Sequence, residues 1–138
     1  MGTAVRAPRE KTPCSVRLGV SEHKGRGVFA GRDFREGELI ESAPVIVIPA
    51  AQWPLLEHTV LHDYMYAYGP TLDDMAIALG FGSLYNHSYE PNARYVRRTG
   101  EGLLEFIAIR PIRRGEEITI NYNGSPDEHS PVWFSVCE

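Results

Sequence analysis

The stretch Leu84-Tyr85-Asn86-His87-Ser88-Tyr89-Glu90-Pro91-Asn92 decides how the rest of the chain is interpreted. It places Asn, His and Ser side by side and closes with a Pro-Asn turn signal. Such polar side chains cost free energy when they are buried without partners. Because apolar segments stand on both sides of it, the stretch is predicted to be either a binding site or a solvated surface turn capped by Asn and Ser.

Length and charge bound the kind of protein. A chain of 138 residues supports one domain with a single core. The formal net charge of -4 argues against non-specific binding to nucleic acid, whereas a mildly acidic surface suits a basic partner such as a lysine-rich peptide. The sequence has no apolar run typical of a signal peptide or a membrane span. A soluble, intracellular protein is therefore expected, cytoplasmic or, in a eukaryote, nuclear.

Metal and disulfide chemistry find little support in the composition. Cys14 and Cys137 are the only cysteines, which argues against a disulfide scaffold and excludes a cysteine-based zinc site within one chain. His58 and His62 have the i, i+4 spacing of a metal-binding pair, but the sequence offers no third ligand near them. One face of a helix explains this pair better, and no metal is predicted.

Short strand-like segments separated by turn residues predict a mainly β domain. Residues 14–20 alternate in the manner of a strand, and Gly25-Arg26-Gly27 precedes a second one. Residues 44–49 read as a buried apolar strand whose ends are marked by its two prolines. Residues 94–98 and 103–110 flank a Gly-rich turn and predict a hairpin.

Two similar phrases predict the same local structure twice. Phe34-Arg35-Glu36-Gly37-Glu38-Leu39-Ile40 and Ile112-Arg113-Arg114-Gly115-Glu116-Glu117-Ile118 both lead from an apolar residue and an Arg to a Gly-Glu pair and an apolar residue. The shared pattern indicates a turn with Gly at positive φ that leads into a strand.

One segment differs in character from these strands. Apolar and aromatic residues over about 50–68 are spaced to suit one or two short helices. Tyr64, Tyr66 and Tyr68 form a dense phenol cluster here, of which one or two residues are predicted to line a cleft, Tyr64 first. The predicted organisation is a flexible arm, a domain that contains this helical insert, and a C-terminal tail, over residues 1–13, 14–124 and 125–138.

Taken together, three phrases resemble the SET-domain protein-lysine methyltransferases, in the minimal form found in bacteria and viruses. They are Lys24-Gly25-Arg26-Gly27-Val28-Phe29-Ala30, Asn86-His87-Ser88-x-x-Pro91-Asn92 and Gly115-Glu116-Glu117-Ile118-x-Ile120-x-Tyr122, in matching order and spacing. The resemblance runs from about residue 14 to 136. It implies a β-clip fold of small curved sheets, in which a C-terminal pseudoknot brings the second phrase against the third.

The resemblance also implies S-adenosylmethionine as cofactor and a protein lysine as methyl acceptor, the two meeting in a narrow channel. Carried over by motif, Tyr122 and Tyr64 are the catalytic candidates. The cofactor-binding candidates are Lys24, Gly25, Arg26, Gly27, Asn86, His87, Tyr122 and Trp133. The substrate-binding candidates are Tyr64, Tyr66, Tyr85 and Phe134.

The chemistry that the resemblance implies suits a phenol. The reaction displaces a methyl group from a sulfonium by an uncharged amine, whereas free lysine has a pKa of about 10.4. A sulfonium about 4 Å from an ammonium repels it by on the order of 4 kcal/mol at an effective dielectric constant near 20, or roughly 3 pKa units. Cofactor binding thus helps to deprotonate the lysine, and a neutral hydroxyl orients the amine without adding a charge.

Departures from the family pattern leave alternatives open. Many relatives carry Cys where Tyr89 stands, and the zinc-binding cysteines that follow the domain in several subfamilies are absent. Pro131-Val132-Trp133-Phe134 is expected to replace that module, either by closing the lysine channel or by stacking on the adenine of the cofactor. A SET-like module that binds a lysine peptide without methylating it is the alternative function, followed by an unrelated β-clip binding protein. Histones are the best-known substrates of the family, but the sequence does not name the substrate and leaves a homodimer undecided.

Overall fold

The computed structural model describes residues 15–22 and 24–132, which form a mainly β fold of small sheets. No helix in this part of the chain is long and apolar enough to span a membrane. The strands are β1 (Val16–Ser21), β2 (Gly25–Ala30), β3 (Leu39–Ile48), β4 (Met65–Tyr68), β5 (Asp74–Ala78), β6 (Asn86–His87), β7 (Ala93–Arg98), β8 (Leu103–Ala108) and β9 (Thr119–Ile120). Short 3-10 helices cover Trp53–Leu56, Val60–Tyr64, Gly82–Leu84 and Thr99–Glu101.

These strands form three sheets. β1 and β2 make an antiparallel pair, and the largest sheet has the order β4-β5-β3-β8-β7 with antiparallel pairing throughout. The predicted hairpin is confirmed as β7 and β8, joined through Gly102 at a φ of 68°. The third sheet is the parallel pair of β6 and β9.

The strand predicted between Pro44 and Pro49 is longer and less buried than the sequence indicated. β3 begins at Leu39 and passes through Pro44, which is paired with Leu103 of β8. Residues 39–44 pair with β8 and residues 45–48 pair with β5, so the proline lies where the strand exchanges partners. Ile46 is 54% exposed, which corrects the prediction of a buried strand.

The insert predicted to be helical over about 50–68 is helical only in part. It contains the 3-10 helices Trp53–Leu56 and Val60–Tyr64, and its last four residues form β4. Alternating burial of Tyr66 and Tyr68 against the core favours a strand there, because neighbouring strand residues point to opposite faces. Pairing with β5 thus overrides the helical spacing of the aromatic residues.

The two similar phrases fold into the same turn and pair with each other, as a shared pattern predicts. Gly37 and Gly115 have φ values of 88° and 90°, a region that glycine adopts without steric cost. Phe34 and Ile112, the first residues of the phrases, form an antiparallel bridge in which the nitrogen-to-oxygen distances of the two hydrogen bonds are 2.7 and 2.9 Å. This bridge ties the chain before β3 to the chain before β9.

Parallel pairing of β6 with β9 is the pseudoknot expected of the fold. Asn86 pairs with Thr119, and His87 pairs with Ile120. The buried Asn92 reinforces the pair: its amide donates to the Glu117 carbonyl at 2.8 Å, and its side-chain oxygen accepts from the Thr119 N–H at 2.9 Å. Two segments about thirty residues apart in sequence are therefore held side by side.

The core packs around Tyr85 and Phe106, whose rings stack with centroids 4.4 Å apart. Tyr85 is 1% exposed, and its hydroxyl donates to the Glu41 carboxylate at 2.7 Å. The same carboxylate accepts the Phe81 N–H at 2.9 Å. Glu41 thus binds the chain that precedes the Asn86-His87 segment to β3.

Replacing Tyr85 by Phe removes the hydroxyl and leaves Glu41 with one donor fewer. Because hydrogen bonds to charged groups contribute about 1.5–3 kcal/mol, Tyr85→Phe is expected to lower the free energy of unfolding by that amount in urea titrations. Tyr89→Phe, which removes an exposed hydrogen bond to the Ser130 carbonyl, is the matched control and is expected to cost less than about 1 kcal/mol. Equal effects of the two variants would contradict this role of Glu41.

Candidate active site

Glu117 gathers one half of the site. Its Oε1 accepts from the Ser21 hydroxyl at 2.7 Å, and its Oε2 accepts from the Asn86 amide at 2.7 Å. The Asn86 amide also donates to the Arg26 carbonyl at 3.0 Å. A Cβ atom on Gly27 would collide with the Glu117 and Asn86 side chains, so only glycine allows β2 to approach this closely.

Lys24 brings the first phrase against the second. Its Nζ donates to the His87 carbonyl at 3.0 Å, which places the ammonium beside β6. The predicted cofactor residues Lys24, Gly25, Arg26, Gly27, Asn86 and His87 therefore lie together, although they are some sixty residues apart in sequence. The Lys24 ammonium and the Glu117 carboxylate at this place suit a ligand that carries both an amine and a carboxylate, as the amino-acid end of S-adenosylmethionine does.

His87 connects this half to the catalytic candidate. The imidazole is 3% exposed, and its Nδ1 accepts the Tyr122 N–H at 3.0 Å. The ring also makes an edge contact with Tyr89, with centroids 4.5 Å apart. His87 thereby fixes the backbone at Tyr122, so the position of the phenol depends on the pseudoknot.

The Tyr122 hydroxyl donates to the Tyr85 carbonyl at 2.6 Å. Burial raises the pKa of Tyr122 well above its ordinary value, and neighbouring Tyr64, Glu117 and Asp63 raise it further. The phenol therefore stays neutral at physiological pH. A phenol hydroxyl can accept a hydrogen bond as well as donate one.

A cavity of about 360 Å³ opens at Tyr122. Four phenols line it, and one of them, Tyr66, is fixed by a hydrogen bond from its hydroxyl to the Gly82 carbonyl at 2.7 Å. The lining residues are His62, Asp63, Tyr64, Met65, Tyr66, Ala67, Leu72, Met75, Ser83, Tyr95, Arg97, Tyr122 and Asn123. The predicted residues Tyr64, Tyr66 and Tyr122 therefore all line the same cavity.

The structure does not bring every predicted residue to the cavity. The Tyr85 side chain points into the core, which corrects its prediction as a substrate contact: only its carbonyl reaches the site. Tyr68 is also buried, with its hydroxyl on the Arg98 and Leu103 carbonyls. Trp133 and Phe134 lie outside the described residues.

Sequence reasoning missed Tyr95. It lies in β7, lines the cavity and meets Tyr66 edge to face with centroids 4.9 Å apart. The Arg97 guanidinium lies 5.3 Å from the Tyr95 ring centroid and donates to the Ala67 carbonyl at 2.6 Å. The period of two in the predicted hairpin could have indicated an inward face at Tyr95, but not which cavity that face meets.

Tyr89 holds the chain that follows the catalytic strand. Its hydroxyl donates to the Ser130 carbonyl at 3.0 Å, and its ring stacks on His129 at 5.9 Å. Asn123 donates to the same carbonyl at 2.7 Å. The position where many SET proteins carry Cys therefore anchors the C-terminal segment here.

Among residues 15–22 and 24–132, no group of three His, Cys, Asp or Glu side chains is placed to hold a metal ion.

Comparison with known proteins places the chain in a family. The SET-domain family model matches residues 25–123. The histone-lysine N-methyltransferase of Schizosaccharomyces pombe, H3 lysine-37 specific, is 30% identical over 131 residues, covering 94% of this chain and 82% of the relative. The histone-lysine N-methyltransferase Set2 of Drosophila melanogaster is 30% identical over 118 residues but is matched over 5% of its length.

Solved structures agree with this match. A Plasmodium falciparum protein described as a histone methyltransferase has a TM-score of 0.64 at 29% identity, covering 84% of this chain and 95% of that one. A Polycomb repressive complex 2 structure bound to S-adenosylmethionine shares the fold, with a TM-score of 0.67 at 22% identity over 80% of this chain and 15% of its own. The chain belongs to the SET-domain family, which confirms the predicted family and fold.

Asn86→Ala removes both hydrogen bonds of the amide and leaves Glu117 with one donor fewer. If Asn86 and Glu117 hold the charged amine of S-adenosylmethionine, the loss of one hydrogen bond to a charged group removes about 1.5–3 kcal/mol, so the cofactor is expected to bind about 10- to 100-fold more weakly in calorimetric titration. Gln52→Ala, which removes an exposed amide outside the segments that carry Lys24, Asn86 and Glu117, is the control and is expected to bind as the wild type does. Unchanged affinity in a folded Asn86→Ala protein would contradict the assignment.

The buried phenols predict a loss of stability at high pH. Burial raises the pKa of Tyr66, Tyr85 and Tyr122 above the ordinary value of 10.0. The unfolded chain therefore releases these protons first, so the stability that they contribute is fully present below about pH 10 and declines as the pH rises above it. Urea unfolding between about pH 8 and 11, with tyrosinate absorbance as a second readout, measures this decline. A flat profile would contradict it.

Proposed function

We propose that this chain methylates a lysine of a histone, with the cavity at Tyr122 as the lysine channel. Its activity class follows from its family: it is an S-adenosylmethionine-dependent protein-lysine N-methyltransferase. The observation that carries the proposal is the Tyr122 hydroxyl, held by the Tyr85 carbonyl at the wall of a cavity lined by phenols. A histone substrate would place the enzyme in the nucleus of a eukaryotic cell.

The cleft beside β2 and β6 would hold the cofactor. Lys24 would bind its carboxylate, while Asn86 and Glu117 would bind its amine. When bound, S-adenosylmethionine supplies an electrophilic methyl group on a sulfonium. Gly27 lets β2 pack closely against Glu117 and Asn86, and the Asn86 amide is held in one orientation by its two acceptors, so the site would require little rearrangement to bind.

Tyr122 and Tyr64 would orient the lysine amine. A neutral phenol accepts a hydrogen bond from the amine without adding a charge, and the raised pKa keeps Tyr122 in that form. Tyr66 and Tyr95 line the same cavity and would narrow the channel around the lysine side chain. Positioning and desolvation therefore supply most of the rate enhancement, and the chain needs no strong base.

A histone tail suits the charge of this protein. The chain carries a formal net charge of -4, and Asp63 lines the cavity that would admit the lysine. Opposite charges on the two partners favour their encounter. The S. pombe relative is named for a histone H3 lysine, which supports the same substrate class for this chain.

Tyr122→Phe tests the catalytic assignment. Removing one preorganised hydroxyl is expected to slow methyl transfer to histone H3 by about 100-fold or more, by analogy with the loss of an oxyanion-hole donor. Affinity for S-adenosylmethionine is expected to stay within about twofold, because the hydroxyl binds the Tyr85 carbonyl and not the cofactor cleft. Transfer of radiolabelled methyl groups measures the rate, and Tyr89→Phe is the control. Normal turnover by the Tyr122→Phe enzyme would contradict the assignment of Tyr122 as a catalytic residue.

A further inference from the structure

Leu72 adopts a backbone conformation that leucine rarely takes. Among the residues that the structure describes, it is the one non-glycine with positive φ, at 61°. It closes the hairpin between β4 and β5, where its N–H donates to the Gly69 carbonyl at 3.2 Å. Gly or Asn would fit this position with less strain. Its side chain is 48% exposed, so burial in the core does not explain the choice of leucine.

The Leu72 side chain forms part of an apolar wall of the Tyr122 cavity. Met65 of β4 and Met75 of β5 complete this wall, and Ala67 lies directly opposite Met75 in the register. The two methionine side chains are unbranched and flexible, so they adapt to an apolar partner. Strained residues concentrate where ligands bind, and this strained residue faces the same cavity as Tyr122.

The cavity is larger than a lysine side chain requires. Lysine has five heavy atoms beyond Cα, and at roughly 30 Å³ each, the share of a water molecule in the liquid, they occupy about 150 Å³. That is less than half of the 360 Å³ available. Leu72, Met65 and Met75 supply much of the apolar part of the lining, so the remaining space can accept a second, apolar side chain beside them.

We propose that Leu72, Met65 and Met75 form a subsite for an aliphatic side chain of the protein substrate, within two residues of the methylated lysine. In an extended peptide, side chains two positions apart lie on the same face and about 7 Å from each other, so both can enter one cavity. The proposal rests on the proposed function, since it takes Tyr122 as the lysine position. It assigns Leu72 to substrate selection.

Peptides that differ only beside the lysine test this subsite. Each peptide carries one central lysine in a Gly-Ser background. Four positions are tested, the two residues before the lysine and the two after it, and each is occupied in turn by Leu or by Ser. The wild type is expected to show a kcat/KM about tenfold or more higher for the best Leu peptide than for its Ser partner. Leu72→Asn, which suits positive φ, is expected to abolish this preference while the thermal midpoint is unchanged or higher.

Leu79→Asn is the matched control. Leu79 is 44% exposed, close to the exposure of Leu72, but it does not line the cavity, so this variant is expected to keep the wild-type preference. Leu72→Gly is the second variant and is expected to behave as Leu72→Asn does. If wild type and Leu72→Asn discriminate equally between Leu and Ser peptides, or if neither discriminates, the subsite is excluded.

Peptide binding by fluorescence anisotropy separates failure of the subsite from failure of the proposed function. Loss of the Leu preference in binding by Leu72→Asn supports an aliphatic subsite at Leu72 even if no peptide is methylated, and the failure then lies with the proposed methyl transfer. Methylation of Leu and Ser peptides with equal binding and equal kcat/KM supports the proposed function and overturns the subsite.

Discussion

The site depends on one interaction, the parallel pairing of Asn86-His87 with Thr119-Ile120. Two strands of two residues each offer few backbone hydrogen bonds, so the pair needs support from side chains. Asn92 provides it, because its buried amide bonds both the Glu117 carbonyl and the Thr119 N–H. Without this pairing, Asn86 would not meet the Glu117 carboxylate and His87 would not reach the Tyr122 N–H.

Two carboxylates near this pseudoknot form hydrogen bonds with groups that lie far away in the sequence. The Glu117 carboxylate is shared between β1 and β6, and the Glu41 carboxylate joins β3 to the segment before β6. Partly buried hydrogen bonds of this kind fix the geometry, since a group without its partner would bear a desolvation cost that nothing compensates. Burial in the same region raises the pKa of the phenols, so the Tyr122 hydroxyl stays neutral where the lysine amine would react.

The cavity combines two walls of different character. The phenol wall is held by hydrogen bonds to carbonyls, as at Tyr122 and Tyr66, and is therefore suited to orienting a reacting amine. The apolar part of the lining comes from Met65 and Met75 of the β4–β5 hairpin, whose side chains adapt their shape, and from the strained Leu72 in its turn. Fixed groups suit chemistry and adaptable apolar groups suit selection, so one cavity can perform both tasks.

The sequence by itself determined the family, the twin turns around Gly37 and Gly115, and the hairpin of β7 and β8, because these follow from local patterns of glycine, charge and alternation. It predicted a helix where Met65–Tyr68 form a strand, since pairing with β5 overrides the local spacing of apolar residues. It also ended a strand at Pro44, although β3 passes through this proline, because the pairing of neighbouring strands decides where a proline is tolerated. It also placed the Tyr85 side chain in the site and overlooked Tyr95. Only the tertiary structure decided these, because the direction of a side chain depends on sheet register and on partners that lie far away in the sequence.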